Sequence, residues 1–194
     1  MNIIYKIYSE RIFYMPNIYL SPSLQEWNPY VDGGNEEYYM NLIADAMEPY
    51  LKASGISFTR NSPDMTLRQA INQSNMGNYD LHLAIHSNAS GENSAGQNRG
   101  VEVYYYPNST KGQNFAETLA TNFSDLYPIP ERVRTLPTTT LGELRLTRAP
   151  AALIEVAYHD NIDDARWIRD NINNIARNLS KSVTETLGVP FVEP

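Results

Sequence analysis

The ten residues 81–90, LHLAIHSNAS, decide the predicted fold of this chain. The first six are mostly apolar, with Leu, Leu and Ile at alternate positions, and the polar letters SNAS follow. A short apolar run that ends in polar residues is typical of a buried strand followed by a loop. His86 is the last residue of the run. We therefore expect His86 at the end of a buried strand, where a polar loop begins.

Other stretches along the chain show the same alternation of apolar runs and helical patterns. Predicted strands cover residues 17–21, 57–60, 80–86, 101–106 and 151–157, and predicted helices cover 36–53, 64–75, 111–126 and 162–187. Strands that alternate with helices favour an α/β fold. We expect three layers, with a mainly parallel (mixed) twisted sheet of about five to six strands and helices on both faces.

Length, composition and charge narrow the class of protein. The 194 residues, 42% hydrophobic and 19% charged, are typical of one folded domain. We expect a single domain over residues 16–194, preceded by an N-terminal extension over residues 1–15. The net charge of −7 argues against nucleic acid as a partner, because binding there requires clustered Lys and Arg.

The N-terminal segment MNIIYKIYSERIFYMPN is a poor signal peptide, since charged residues interrupt its apolar start. No apolar run of about 18 residues is present, so we expect no membrane span. The chain has no cysteine, which excludes a thiolate nucleophile and a cysteine zinc site. Met15 is a possible alternative start, and localisation and oligomeric state stay open.

Polar residues that follow strands mark the predicted site, because sites in such sheets form at the carboxyl ends of the strands. His86 ends the third predicted strand, and Glu36 and Glu37 open the helix after the first, with Asn35 as a predicted N-cap. His82 lies four residues before His86, roughly 13 Å away along a strand, so the two cannot share one metal ion. We interpret His82 as a packing residue.

Glu155 is the least ordinary candidate, since it lies within the apolar run AALIEVAY. A buried Glu is rare unless it is paired, and burial without a partner raises its pKa towards that of a general base. An ion pair with Arg145 or Arg148 is the alternative. A His and two Glu at neighbouring strand ends are the ingredients of a zinc hydrolase, because zinc binds His and carboxylate and a second carboxylate works on the bound water.

Three motifs in order resemble the zinc-dependent N-acetylmuramoyl-L-alanine amidases of the Amidase_3 type. They are Glu37 followed by Asn41-Leu42, then HSNAS at 86–90, then PAALIEVAYHDN at 150–161. The resemblance implies Zn²⁺ bound by Glu37 and His86, with Glu155 as the catalytic glutamate. It further implies hydrolysis at the cell wall of the amide bond between N-acetylmuramic acid and L-alanine in peptidoglycan or muropeptides.

One motif departs from the family, whose first zinc ligand is normally a His after the first strand. The corresponding turn, SPSLQEWN at 21–28, has no His. Gln25 is the predicted third ligand, because it lies closest to that place; Glu26, His159 or a site with fewer ligands are alternatives. An impaired relative that only binds peptidoglycan, or a zinc peptidase with another substrate, also remains open.

Overall fold

The computed structural model describes residues 15–194. The predicted N-terminal extension therefore lies outside the described residues, apart from Met15. Six strands are present in this part of the chain: β1 (Asn17–Pro22), β2 (Ser57–Arg60), β3 (Leu81–Asn88), β4 (Val101–Tyr105), β5 (Val133–Pro137) and β6 (Ala151–Tyr158). The α-helices are α1 (Glu36–Ala53), α2 (Leu67–Met76), α3 (Thr110–Ser124), α4 (Gly142–Arg145), α5 (Ile162–Asp170) and α6 (Ile172–Leu187).

The six strands form one mixed sheet in the order β2-β1-β3-β6-β4-β5. All neighbouring strands are parallel except β4 and β6, which are antiparallel. The predicted α/β class with a mainly parallel sheet is confirmed. No helix in residues 15–194 combines the length and apolar character needed to cross a membrane.

The larger core lies on one face of the sheet, where the apolar sides of α1, α3, α5 and α6 pack. It contains Leu83 and Ile85 of β3 and Ile154 of β6, all fully buried. The residues directly before or after these in each strand point to the opposite face of the sheet. There Ala84 and Leu153 form a smaller cluster with Leu144 of α4. This thinner layer leaves room for a cavity on its side of the sheet.

Three elements differ from the sequence-based prediction, and one of them is the four-residue helix α4, which was not predicted. The β5 strand, VRTLP, was not predicted, because its alternation is short and interrupted by charge. The long helix predicted over 162–187 is two helices, since Asn171 has φ −122° and ψ 19° and ends α5 just before α6 begins. The hydrophobic period continues through this break because both helices pack on the same core.

His82 is a packing histidine, as predicted. It is fully buried, and its ring stacks on that of Tyr19 with centroids 5.1 Å apart. Its Nδ1 lies 2.9 Å from Oγ of Ser74, and its Nε2 lies 3.0 Å from Oε2 of Glu143. Both ring nitrogens therefore have a partner, and His82 ties α2 and α4 to the sheet.

Candidate active site

The centre of the site is a pair of side chains on neighbouring parallel strands. His86 of β3 and Glu155 of β6 are register partners, so both point to the thinner face of the sheet. Both also lie near the carboxyl ends of their strands, where sites in parallel sheets form. The register shifts immediately afterwards, between His86 and Asn88, and pairing resumes between Asn88 and Tyr158.

Glu36, rather than the predicted Glu37, lies beside His86. Asn35 caps α1 as predicted, with its side chain accepting from the backbone N–H of Tyr38 at 2.8 Å. This cap places Glu36 on the buried side of the first turn, 1% exposed, with Oε1 2.8 Å from Nδ1 of His86. Glu37 points about 100° further round the helix. It lines a separate surface depression with Glu26.

Gln25 reaches the same pair of side chains. Its Nε2 lies 3.3 Å from Nδ1 of His86 and 3.4 Å from Oε1 of Glu36. Asn28 fixes this orientation, because its amide donates to Oε2 of Glu36 at 2.7 Å and to Oε1 of Gln25 at 3.1 Å. A carboxylate only accepts, so the amide nitrogen of Asn28 must face Glu36. The structure therefore brings together Gln25, Glu36 and His86.

The hydrogen bond between Glu36 and His86 favours the charged form of both. Burial would raise the pKa of Glu36, but the hydrogen bond and the positive charge of His86 hold it below its usual value. Burial would likewise lower the pKa of His86, yet the Glu36 hydrogen bond and the charges of Glu155 and Glu36 raise it to about 9. Without a metal, these residues form a buried ion pair.

Glu155 has the properties of a general base. Its Oε2 is buried and has no hydrogen-bond partner among residues 15–194. Burial, together with the charges of Glu36 and Glu102, raises its pKa to about 7, although His86 opposes the shift. The alternative pairing with Arg145 or Arg148 is not found, and Arg148 instead donates to the backbone of Asn75. Glu155 can exchange a proton near neutral pH.

His159 does not reach His86. It is 3% exposed, and its Nδ1 lies 2.8 Å from the backbone oxygen of Ser87 and 3.1 Å from Oγ of the same residue. The hydroxyl of Tyr30 donates to this Oγ at 2.9 Å. Ser87 follows His86 and therefore points to the opposite face of the sheet. His159 and Ser87 thus form a hydrogen-bonded group with Tyr30 on the face of the sheet opposite to Glu155.

A cavity of about 410 Å³ opens beside these residues. Its polar lining comes from Gln25, Thr66, His86, Glu143 and Glu155, and its apolar lining from Leu24, Trp27, Met65, Leu67, Leu141 and Leu153. A cavity of this size, with a few polar groups converging on one wall, is typical of a ligand site. Asn28, which supports the polar wall, was not predicted, and Glu36 was named together with Glu37 although the resemblance favoured Glu37 as the ligand. Only the helical register of α1 could have favoured Glu36 over Glu37.

Glu143 was also missed by the sequence analysis. It is 5% exposed and accepts from Oγ of Ser21 at 3.0 Å, besides its contact with His82. These partners outweigh burial and lower its pKa, so Glu143 is an ionised part of the cavity wall. Its signal in the sequence is weak, because the short helix that carries it shows no clear pattern.

The spacing of the polar atoms fits a zinc ion, whereas the chemical identity of the third donor does not. Nδ1 of His86 lies 2.8 Å from Oε1 of Glu36, and Nε2 of Gln25 lies 3.3 Å from the first atom and 3.4 Å from the second. Two ligand atoms of a tetrahedral zinc ion are about 3.3 Å apart at zinc–nitrogen distances, so these separations are close to those of a zinc site. Within the described residues, no three His, Cys, Asp or Glu cluster as a metal site. A third ligand from this set would have to be the Gln25 amide, and only if it turned so that its oxygen rather than its nitrogen faced the other two.

The fold and this site define an α/β domain with a polar centre at the carboxyl edge of a mixed sheet. The sequence profile of the Amidase_3 family, described as N-acetylmuramoyl-L-alanine amidase, matches residues 26–185. The chain belongs to this family. A comparison with curated proteins found no match.

Solved amidase structures share the fold. AmiC2, an N-acetylmuramoyl-L-alanine amidase of Nostoc punctiforme, is 18% identical with a TM-score of 0.78, covering 90% of this chain and 98% of its own. The catalytic domain of CwlV from Bacillus (Paenibacillus) polymyxa var. colistinus is 21% identical with a TM-score of 0.77, covering 91% and 100%. The catalytic domain of the CD27L endolysin targeting Clostridia difficile is 21% identical with a TM-score of 0.70, covering 89% and 98%.

Proposed function

We propose that this chain is a zinc-dependent amidase that cleaves the bond between N-acetylmuramic acid and L-alanine in peptidoglycan. The observation that carries the proposal is the convergence of Glu36, His86 and Glu155 at one edge of the sheet. Two of them lie in hydrogen-bond contact, and the third has a free, buried carboxylate oxygen. Membership in the amidase family supplies the reaction class.

Glu36 and His86 would hold the metal, with the Gln25 amide as third donor. When bound, zinc polarises the scissile carbonyl and lowers the pKa of water. Asn28 orients Gln25 and Glu36 through its amide hydrogens. Turning the Gln25 oxygen towards the metal gives up the hydrogen bond from Asn28 to Gln25. His86 would have to release the proton that it now shares with Glu36 before its Nδ1 could hold a metal.

Glu155 performs the proton transfers. Its carboxylate accepts a proton from water as the water oxygen attacks the carbonyl carbon of the lactyl–L-alanine amide. The carbon–nitrogen bond then breaks, and Glu155 returns the proton to the departing nitrogen. The products are a free lactyl carboxylate on the sugar and a free amine on L-alanine. A pKa of about 7 suits both the acceptance and the return of the proton.

The test is cleavage of a defined muropeptide by zinc-loaded protein, with the products identified by mass spectrometry. We expect an intact saccharide and a stem peptide with a new L-alanine amine. The Glu155→Gln variant should retain bound zinc, and its rate of cleavage should fall about 10²- to 10⁴-fold, which is the usual contribution of a general base. Glu117→Gln, on the exposed side of α3, serves as the matched control and should remain fully active.

Full activity of Glu155→Gln would overturn the proposed role of Glu155. Cleavage within the peptide, with the sugar–alanine bond intact, would favour a zinc peptidase. Binding of muropeptide without cleavage, in protein shown to contain zinc, would favour a peptidoglycan-binding module. Each of these outcomes contradicts the proposed function in a different and recognisable way.

A further inference from the structure

Trp27 is the most exposed large aromatic side chain beside the site. It is 68% exposed, yet it lines the same cavity as His86 and Glu155. The other tryptophan, Trp167, is partly buried and packs edge-on against Tyr127 with ring centroids 5.0 Å apart. In residues 15–194 no aromatic ring packs against Trp27. An indole left in solvent at a cavity mouth is the kind of exposed apolar surface that marks a binding site.

The backbone on both sides of Trp27 is fixed. The N–H of Ser23 donates to the carbonyl of Ile85 at 2.9 Å, which ties the start of the turn to β3. The N–H of Glu36 donates to the carbonyl of Asn28 at 3.0 Å, which ties its end to α1. Trp27 lies between these two anchors. Its exposed ring is therefore presented from a held turn, and little backbone ordering is needed when a ligand contacts it.

The charges around the cavity restrict what can contact this indole. None of the described residues that line the cavity is a Lys or an Arg. The acidic residues that line it are Glu143 and Glu155, and Glu143 has a lowered pKa. His86 is the one cationic side chain among these lining residues, and its charge is already paired with Glu36. An anionic stem peptide would therefore gain little countercharge on this wall. A neutral ring with one apolar C–H face could bury that face against Trp27 in a cavity that Met65 and Leu67 also line.

We propose that Trp27 is a specificity-determining residue that stacks against a neutral N-acetylated sugar ring of the substrate. The proposal rests on the proposed function, and it assigns the glycan to the Trp27 side of the cavity. The stem peptide then leaves on another side, away from the carboxylates. Trp27 contributes binding to the sugar and takes no part in the proton transfers of Glu155.

The test uses two probes that share the scissile amide and differ only in the sugar. One is muramyl dipeptide, and the other is lactyl-L-alanyl-D-isoglutamine, which lacks the ring. The zinc-loaded protein carries Glu155→Gln to prevent turnover and Trp167→Phe, so that Trp27 is the single tryptophan and its fluorescence reports contact. We expect muramyl dipeptide to change the Trp27 emission and to bind at least tenfold more tightly than the sugar-free probe.

Trp27→Ala, tested by calorimetry, should remove the difference in affinity between the two probes, and Trp27→Phe should keep part of it. With Glu155 restored, Trp27→Ala should raise KM for sugar-bearing substrate at least tenfold and leave kcat within a factor of about two, as expected for lost uniform binding. Equal binding of the two probes, binding of neither, or equal weakening of both by Trp27→Ala would overturn the proposal. Muropeptide cleavage by the unaltered protein is read separately, so failure of the sugar contact is distinguishable from failure of the amidase function.

Discussion

The Nδ1 of His86 lies 2.8 Å from Oε1 of Glu36, although 50 residues separate them in the chain. The contact depends on the register of α1. Glu36 lies on the same helical face as Met40 and Ile43, which are fully buried against the sheet. Glu37 is one residue further round and faces the surface depression that also contains Glu26. The packing of α1 thus decides which of two adjacent carboxylates meets His86.

The first prediction compares these two adjacent carboxylates. Glu36→Gln should weaken zinc binding at least tenfold, because it removes the charged oxygen beside His86. Glu37→Gln is the matched control and should bind zinc as the unaltered protein does. Zinc affinity is measured by competition with a chromophoric chelator. Loss of zinc in the Glu37 variant, with retention in the Glu36 variant, would show that Glu37 is the ligand.

A second prediction concerns the missing histidine. Gln25→His should raise zinc affinity at least tenfold, because an imidazole nitrogen is a better zinc ligand than a neutral amide. The Gln25 amide already lies 3.3 Å from Nδ1 of His86, so a side chain at this position reaches the site. Glu26→His is the control, since residue 26 faces the other depression. Equal affinity of all three proteins would exclude Gln25 from the zinc site.

Glu155 gives a prediction on stability that is independent of activity. Its pKa of about 7 in the folded protein lies above the unfolded value of about 4.3, so the folded state keeps the proton longer. The contribution of Glu155 to stability is therefore most favourable at low pH and is lost as the pH rises from about 4.3 to about 7. Above pH 7 the buried charge costs about 3 kcal/mol of unfolding free energy.

Glu155→Gln removes that cost in metal-free protein. We expect the variant to be more stable than the unaltered protein by up to about 3 kcal/mol at pH 8 and equally stable at pH 4, as measured by urea unfolding in EDTA. Glu117→Gln should show no such pH-dependent difference. A stabilisation at pH 8 no greater than that at pH 4 would mean that folding does not raise the pKa of Glu155.

A fourth prediction concerns Glu143, which has the opposite shift. Burial raises its pKa, but the hydrogen bond and charge of His82 outweigh this effect and lower it. The stabilisation is therefore complete above the unfolded value of about 4.3 and is lost as the pH falls through the lower folded value. Glu143→Ala leaves the buried Nε2 of His82 without its hydrogen-bond partner, which should cost about 1–3 kcal/mol near neutral pH.

Urea unfolding of Glu143→Ala and of Glu131→Ala measures this cost, the latter being an exposed Glu in the short turn before β5. The difference between Glu143→Ala and the unaltered protein should shrink as the pH falls through the lowered pKa of Glu143, where its carboxylate becomes protonated. A cost below about 0.5 kcal/mol at neutral pH would mean that the contact with His82 contributes little to folding.

The sequence by itself determined the architecture and part of the site. Apolar runs such as residues 81–86 can be recognised without knowledge of the tertiary structure, because every buried strand requires apolar side chains. Asn35 was recognisable as a cap from local chemistry alone, and His86 and Glu155 followed from the rule on strand ends. The order of the motifs also indicated the family that the sequence profile confirms.

Only the tertiary structure decided between neighbours whose local signals are equal. Glu36 and Glu37 are both acids in the first turn of one helix, and the packing of α1 on the sheet selects Glu36. Glu143 and Asn28 acquire their partners through contacts across 61 and 8 residues, which no local pattern encodes. Periodicity reports whether a side chain is buried, whereas its partner is fixed by how separate elements pack together.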